Sequence, residues 1–223
     1  MSNRTWKILL GETDSAMVNY GQNCKWGVET SWHGDTIGYL KQVYNKDTFR
    51  GCVDAGASYG FLSVPFSFMF EKIYSFEPNP DVFECLKENI IPRENIELFN
   101  KALSNSGGLR SLIIPGQTSG MGVIKEEMHI SDGLKYDIET ITLDSLNLVD
   151  IDFIKIDVEG HELEMLKGAI QTIERWRPVV YCEIHSQRDM ADYKRRREIF
   201  RIFESLGYIL HDVRYHDYVF LPM

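Results

Sequence analysis

Cys52-Val53-Asp54-Ala55-Gly56-Ala57-Ser58-Tyr59-Gly60-Phe61, followed a short way on by Ile73-Tyr74-Ser75-Phe76-Glu77-Pro78-Asn79-Pro80, decides how this chain folds. The first stretch is an apolar strand that ends in an acid and a glycine turn; the second is another strand that ends in a carboxylate. A helix fits between them. Strand, glycine turn, helix, strand and terminal acid, with the acid about twenty residues after the turn, is the arrangement that sets a ribose-binding carboxylate beside a glycine loop. Working outward, the same alternation recurs to the end of the chain, and predicts an α/β fold with a mostly parallel sheet covered by helices on both faces.

The turn also bears on which nucleotide-like ligand it serves. A dinucleotide fingerprint needs Gly-x-Gly-x-x-Gly, because its second glycine lets the backbone approach a pyrophosphate. Here that position is Ser58, and Asp54 precedes the turn where a phosphate would be repelled. S-adenosylmethionine has no phosphate but carries a sulfonium, an ammonium and a carboxylate. An acid beside the turn suits its cationic part, and a helix N-terminus can take its carboxylate. Glu77 would accept hydrogen bonds from both ribose hydroxyls.

Composition narrows the rest. The 223 residues, 43% of them hydrophobic, suffice for one domain with one continuous core. A formal charge of −9 argues against an extended basic footprint for nucleic acid. Lys194-Arg195-Arg196-Arg197, on a helix starting near Asp189, reads as a solvated face. Cys24, Cys52, Cys85 and Cys182 show no paired spacing, and Cys52 and Cys182 sit in apolar runs where a reduced thiol packs as a small hydrophobe. Together with the absence of a signal-like or bilayer-length apolar run, this leads us to expect a cytoplasmic protein without a membrane span.

Three zones follow. Residues 1–50 form an N-terminal extension with a helix from about Asp35 to Tyr44, residues 51–185 the cofactor-binding and catalytic core, and residues 186–223 a C-terminal helix and hairpin. Within the core, Asn79 and Pro80 read as the cap and first position of a helix, and Ile96 to Phe99 as a third strand. Residues 109–142 interrupt the rhythm with two strand-like stretches, Leu109 to Ile114 and Ile138 to Leu143, around a polar span. They read as an insertion, either a segment that folds over a substrate or a surface excursion. Asp152 to Asp157 is the next strand, followed by a helix burying Leu163, Leu166, Ala169 and Ile170. Pro178 to His185 is another strand, and Tyr208 to Val213 with Tyr218 to Leu221 form a closing antiparallel hairpin.

Ligands of open parallel sheets bind beyond the carboxyl ends of the strands. Asp54, Glu77, Asp157, Glu159, Glu183 and His185 should therefore meet in one crevice. With Asp54 and Glu77 assigned to the cofactor, Asp157, Glu159, Glu183 and His185 remain as candidates to take a proton from an acceptor hydroxyl as it attacks a sulfonium methyl. The acid and glycine of Asp157 to Gly160 would equally serve as a helix cap. The same donors could hold Mg²⁺ or Mn²⁺ to acidify the hydroxyl, so direct and metal-assisted bases both stand. Zinc lacks its usual cysteine or histidine pairs.

Five motifs in order, Val53-Asp54-Ala-Gly56-Ala-Ser58-Tyr-Gly60, Tyr74-Ser-Phe-Glu77-Pro-Asn79-Pro, Asn100-Lys-Ala102-Leu-Ser104, Thr142-Leu-Asp144-Ser-Leu and Ile154-Lys-Ile-Asp157-Val-Glu159-Gly160-His-Glu162, resemble the FkbM family of S-adenosylmethionine-dependent methyltransferases. The resemblance spans roughly residues 51–185. It implies a Rossmann-like class I methyltransferase sheet of seven strands. It also implies cofactor contacts from Gly56, Ala57, Ser58 and Gly60, from Glu77, Pro78 and Asn79, and on the adenine side from Asn100, Lys101 and Ala102, with chemistry around Asp157. Where the family often has Gly-Ala-Asn-x-Gly, this chain has Ser58 for the asparagine. Members commonly methylate hydroxyls of sugars, lipids or polyketide-type metabolites, so the expected partner is a small-molecule or glycan acceptor. The alternatives are N-methylation of an amine or nucleic-acid acceptor, disfavoured because Asp157-Val158-Glu159-Gly160 replaces the Asn/Asp-Pro-Pro-aromatic signature of base-amine enzymes, and a protein that binds the cofactor without turnover.

Overall fold

A computed structural model describes residues 49–114, 123–125, 133–184, 190–214 and 216–223. The helix expected over Asp35 to Tyr44 lies outside the described residues. Strand β1 is Phe49–Ala55, and β2 is Phe70–Phe76. Nine residues separate Gly60 from β2, so the helix expected after the glycine turn is reduced to one turn, α1, Ser63–Phe66. Helix α2, Pro80–Ile90, begins as read. Asn79 accepts from the amides of Asp81 and Val82, and Pro80 occupies a position whose missing N–H costs nothing. Strand β3 is Ile96–Phe99.

Strand β8, Ile151–Ile156, and β9, Val179–Glu183, flank a helical crossover. The single helix expected there is two, α3 at Glu162–Lys167 and α4 at Ile170–Trp176. The break is at Gly168, where a Cβ would stand 1.9 Å from the Ser104 carbonyl oxygen, so the chain passes too close for any other residue. Helix α5, Met190–Ser205, leads to β10, Tyr208–Arg214, and β11, Asp217–Pro222. The strands order as β10-β11-β9-β8-β1-β2-β3. Pairs from β9 through β3 are parallel, while β11 is antiparallel to both β9 and β10. The sequence reading of seven strands, mostly parallel, with a closing hairpin matches this sheet, and the strand order reverses at β1, between β2 and β8.

Alternation along the strands sends Cys52, Ile73, Phe153 and Tyr181 to one face and Val53, Phe76, Ile154 and Cys182 to the other. Each face is a buried cluster, and residues such as Phe153 and Phe220, both 1% exposed, contribute about 1.5–3 kcal/mol apiece by leaving water. Cys52, Cys85 and Cys182 are buried free thiols. No helix among the described residues is long and apolar enough to cross a membrane.

The span read as an insertion forms a second sheet. Strands β4 (Ala102–Leu103), β5 (Gly108–Ile114), β6 (Val123–Lys125) and β7 (Leu134–Ile141) order as β4-β7-β5-β6 around Ala102, Leu112, Ile114 and Ile138. It is no surface excursion. Tyr136 of β7 donates to Asp81 of α2 over 2.5 Å, a bond that pushes its phenol up to about 12, and Lys101 pairs with Glu139 at 2.7 Å. These contacts fasten the small sheet against the rim of the large one.

Candidate active site

A cleft of about 710 Å³, partly open to solvent, lies at the carboxyl ends of β1, β2 and β8. Its floor is the glycine turn. Gly56 has φ +76° and a Cβ there would fall 1.9 Å from the Asp157 carbonyl oxygen, so the turn after β1 touches the turn after β8 backbone to backbone. The amides of Gly56 and Ala57 both donate to the Phe76 carbonyl. Ser58, φ +49°, continues the turn in the left-handed region.

Glu77 leaves β2 at the cleft wall. Its Oε2 accepts from the Ser58 amide at 2.9 Å and its Oε1 from the Asn79 amide at 2.8 Å. Burial pushes its carboxyl up to about 7, against the lowering pull of those two amides and of Lys155. Each carboxylate oxygen offers about two lone-pair sites, so after the amides each retains one for a ligand hydroxyl. Asn100 donates to the Glu77 and Pro78 carbonyls at 2.8 and 3.2 Å and braces this segment from behind.

Gly56, Ser58, Glu77, Pro78, Asn79, Lys101 and Ala102 line the cleft, as do Asp157 and Glu159. Ala57, Gly60, Asn100 and Asp54 do not. Gly60, φ +89°, packs against Leu86, and a Cβ there would come within 2.8 Å of that side chain. Asp54 is wholly buried beneath the turn. Ser63 donates to its Oδ2 at 2.6 Å and bridges to Ser75, and Lys155 Nζ sits 3.3 Å from its Oδ1. The carboxylate thus anchors the turn from below, enclosed rather than presented to the cleft.

Asp157 and Glu159 line the cleft, and Glu183, which does not, stands beside them. Asp157, Glu159 and Glu183 each bring one oxygen within 4.8 Å of the others. Burial drives the Glu183 carboxyl well upward, reinforced by the charge of Asp157, to which Glu183 is hydrogen-bonded. Asp217, at the start of β11, is likewise raised by burial despite its bond from Tyr181, and burial followed by the nearby acids raises the Tyr181 phenol. Burial thus holds Glu183 and Asp217 toward their protonated forms. His185 lies outside the described residues.

Sequence reading missed the cleft's apolar wall, Leu112, Ile114 and Ile124 of the small sheet with Phe76 and Val158. It also missed Asp217, which only the hairpin's return brings to β9, and Lys155. A lysine inside Phe153-Ile-Lys-Ile156 was a readable signal, since a strand buried on both faces has no ordinary use for a cation.

The family profile of the FkbM methyltransferase domain matches residues 54–210. The chain belongs to the FkbM methyltransferase family. Within reach of it, a hexuronic acid methyltransferase, AglP, of Haloferax volcanii is 33% identical over 126 residues, covering 54% of this chain and 50% of that protein. A methyltransferase, sdnD, of Sordaria araneosa is 26% identical over 171 residues, covering 56% of this chain and 66% of its own length. The FkbM domain described here thus spans between half and two thirds of the curated relatives it matches. The crystal structure of an FkbM methyltransferase from Methylobacillus flagellatus KT superposes with a TM-score of 0.52 at 18% identity, over 95% of this chain and 56% of that one, a likeness of fold.

Proposed function

We propose that this FkbM domain transfers a methyl group from S-adenosylmethionine to a hydroxyl of a sugar, glycan or similarly hydroxylated small molecule, acting in the cytoplasm. The observation that carries this reading is the division of the cleft. Glu77 keeps a lone pair on each oxygen at the end of β2, and Asp157 and Glu159, with Glu183 close by, come from the ends of β8 and β9. The residues present suit the donor. The Gly56 close approach leaves the turn's backbone bare, Glu77 would take the ribose hydroxyls, and Leu112, Ile114 and Ile124 with Ala102 would cover an adenine ring. When bound, S-adenosylmethionine supplies a methyl on a sulfonium sulfur, an electrophile that needs no metal.

What the chain adds is position and a proton acceptor. Asp157 and Glu159 line the cleft, where either would orient an acceptor O–H and take its proton as the oxygen gains the methyl. Glu183, held toward its protonated form by burial and by the charge of Asp157, hydrogen-bonds to Asp157 and would steady that carboxylate. The AglP relative, named for a hexuronic acid, favours a sugar acceptor.

A second reading has one observation behind it: oxygens within 4.8 Å of one another are close enough for a divalent cation to join. Labelled methyl transfer from S-adenosylmethionine to a panel of sugars, uronic acids and amines, run with EDTA and with added Mg²⁺, tests both. Transfer to hydroxyls that survives EDTA supports the proposal, and rescue by Mg²⁺ supports the second reading. A melting point raised by NAD and unmoved by S-adenosylhomocysteine overturns the donor assignment.

A further inference from the structure

An arginine packed over aromatic rings keeps the N–H donors at its edge for a planar carboxylate or a phosphate. Lys194, Arg195 and Arg197 are exposed, as a solvated helix face requires, but Arg196 is half-buried and departs from that reading of the basic run. Its guanidinium stands 5.2 Å from the Tyr218 ring of β11 and 5.6 Å from the Phe200 ring of α5, and it makes no ion pair among the described residues. Arg196 lines a second hollow, of about 340 Å³, between the start of α3, the end of β9 and α5, together with Gly160, Ile184, Arg195 and Ile199. The two acids that also line it are engaged: Glu162 accepts from the Gly160 amide at 2.7 Å, and Asp192 pairs with Arg195. Val158 and Glu159 line the cleft and Gly160 lines the hollow, so consecutive residues of one turn join the two. A Cβ at Gly160 would meet nothing within 4 Å, so the backbone at that joint faces open space.

We propose that this hollow is the outer part of the acceptor site and that Arg196 sets its specificity, seating a carboxylate or phosphate that the acceptor carries away from the hydroxyl to be methylated. The inference rests on the reading of the cleft as a methyl-transfer site and deepens it, from hydroxylated acceptors in general to acidic ones. Electrostatics supply the reason. Asp157 and Glu159 line the cleft and the chain carries a formal charge of −9, so an acidic acceptor is repelled unless a cation holds its charged group apart from those carboxyls. Arg196 is placed to be that cation, because Arg195 pairs with Asp192, Lys101 pairs with Glu139, and Lys155 is enclosed at 3% exposure. An anionic group in the hollow would complete a guanidinium that the fold leaves with aromatic rings for partners.

NMR of the ligand-free chain, read at the Arg196 ¹⁵Nε resonance, tests the site without any turnover. Glucuronate, glucose 1-phosphate and glucose are the probes. A saturable shift with glucuronate assigns a carboxylate and one with glucose 1-phosphate a phosphate; no saturable shift with either anion, or an equal shift with glucose, overturns the proposal. Arg196→Met keeps the apolar stem over the rings and should weaken anion binding about tenfold or more, and Arg196→Lys, which keeps the charge without the fork, should weaken it less. Arg197→Met, on the exposed face, should leave it unchanged, and an equal loss there reduces the effect to surface charge and overturns the proposal. Labelled transfer then separates the site from the reaction. With an acidic acceptor Arg196→Met should raise KM about tenfold with a smaller effect on kcat, and a fall in kcat alone overturns the specificity role. A wild-type chain that binds the anions but transfers no methyl overturns the methyl-transfer reading, not the anion site.

Discussion

The two sides of the cleft are built on opposite electrostatic plans. On the donor side the buried charges are paired: Glu77 with two amides, Lys155 with two carbonyls, and Asp54 with Ser63 through Oδ2, while its Oδ1, which makes no hydrogen bond, stands 3.3 Å from the Lys155 ammonium. On the acceptor side Asp157, Glu159, Glu183 and Asp217 crowd one another, and burial raises Glu183 and Asp217. A paired network fixes geometry, whereas buried acids set beside one another favour the protonated form of some of them. On the proposed assignment the paired groups would hold the cofactor and the crowded carboxyls would face the acceptor. Lys155 touches both, 3.3 Å from Asp54 and 3.4 Å from Asp157.

The largest break in this contrast should come on the acceptor side. Asp157→Asn removes the proton acceptor and should lower kcat about 10²–10⁴-fold, or ~3–5 kcal/mol of barrier, with little change in S-adenosylhomocysteine affinity by calorimetry. Comparable loss of affinity would erase the distinction between the sides. Gly56→Ala attacks the seam itself. Its Cβ would overlap the Asp157 carbonyl, and φ +76° strains any side chain, so a loss on the order of 3 kcal/mol in urea unfolding is expected. Glu77→Ala orphans the Ser58 and Asn79 amides and deletes the ribose partner. Affinity for S-adenosylhomocysteine should fall roughly 10–100-fold, while any residual transfer keeps its dependence on the acceptor.

Smaller effects sharpen the comparison through pH. The Glu77 carboxyl rises from an ordinary 4.5 to about 7 on folding. The folded state therefore holds its proton more tightly than the unfolded one, so this group's stabilisation is complete below about 4.5 and is lost as pH rises through about 7. Ribose hydroxyls favour the ionised form, so donor affinity should climb several-fold over the upper part of that same window. Calorimetry from pH 6 to 8 checks the affinity and thermal melts check the stability, and Glu77→Gln should flatten both. A shared sign for the two slopes would contradict the assigned role. The smallest change is Asn79→Ala, which removes the α2 cap and should cost about 1 kcal/mol in urea unfolding while leaving in place the backbone amide that donates to Glu77.

What could be read along the chain was whatever is encoded locally. The Asn79-Pro80 helix start, the glycine turn, the strand-ending acids and the closing hairpin are each set by a few neighbouring residues, and they appear as read. The Gly168 break was not legible, because its cause is the Ser104 carbonyl, distant in sequence. Nor was the enclosure of Asp54, which needs Ser63, Ser75 and Lys155 from three different elements. Residues 109–142 read as an interruption because a small antiparallel sheet shows no helical alternation, and its role as a cleft wall depends on Tyr136 and Lys101 fastening it down.

By itself the sequence determined the alternating sheet and the place of Asp54 and Glu77 at strand ends, since hydrophobic period and turn chemistry act over a few residues and survive without tertiary context. Which charges are paired and which are crowded was decided only when β1, β8, β9 and β11 came side by side. Ionisation depends on burial and on neighbours a few ångströms away, and neither is a property of the chain until it has folded.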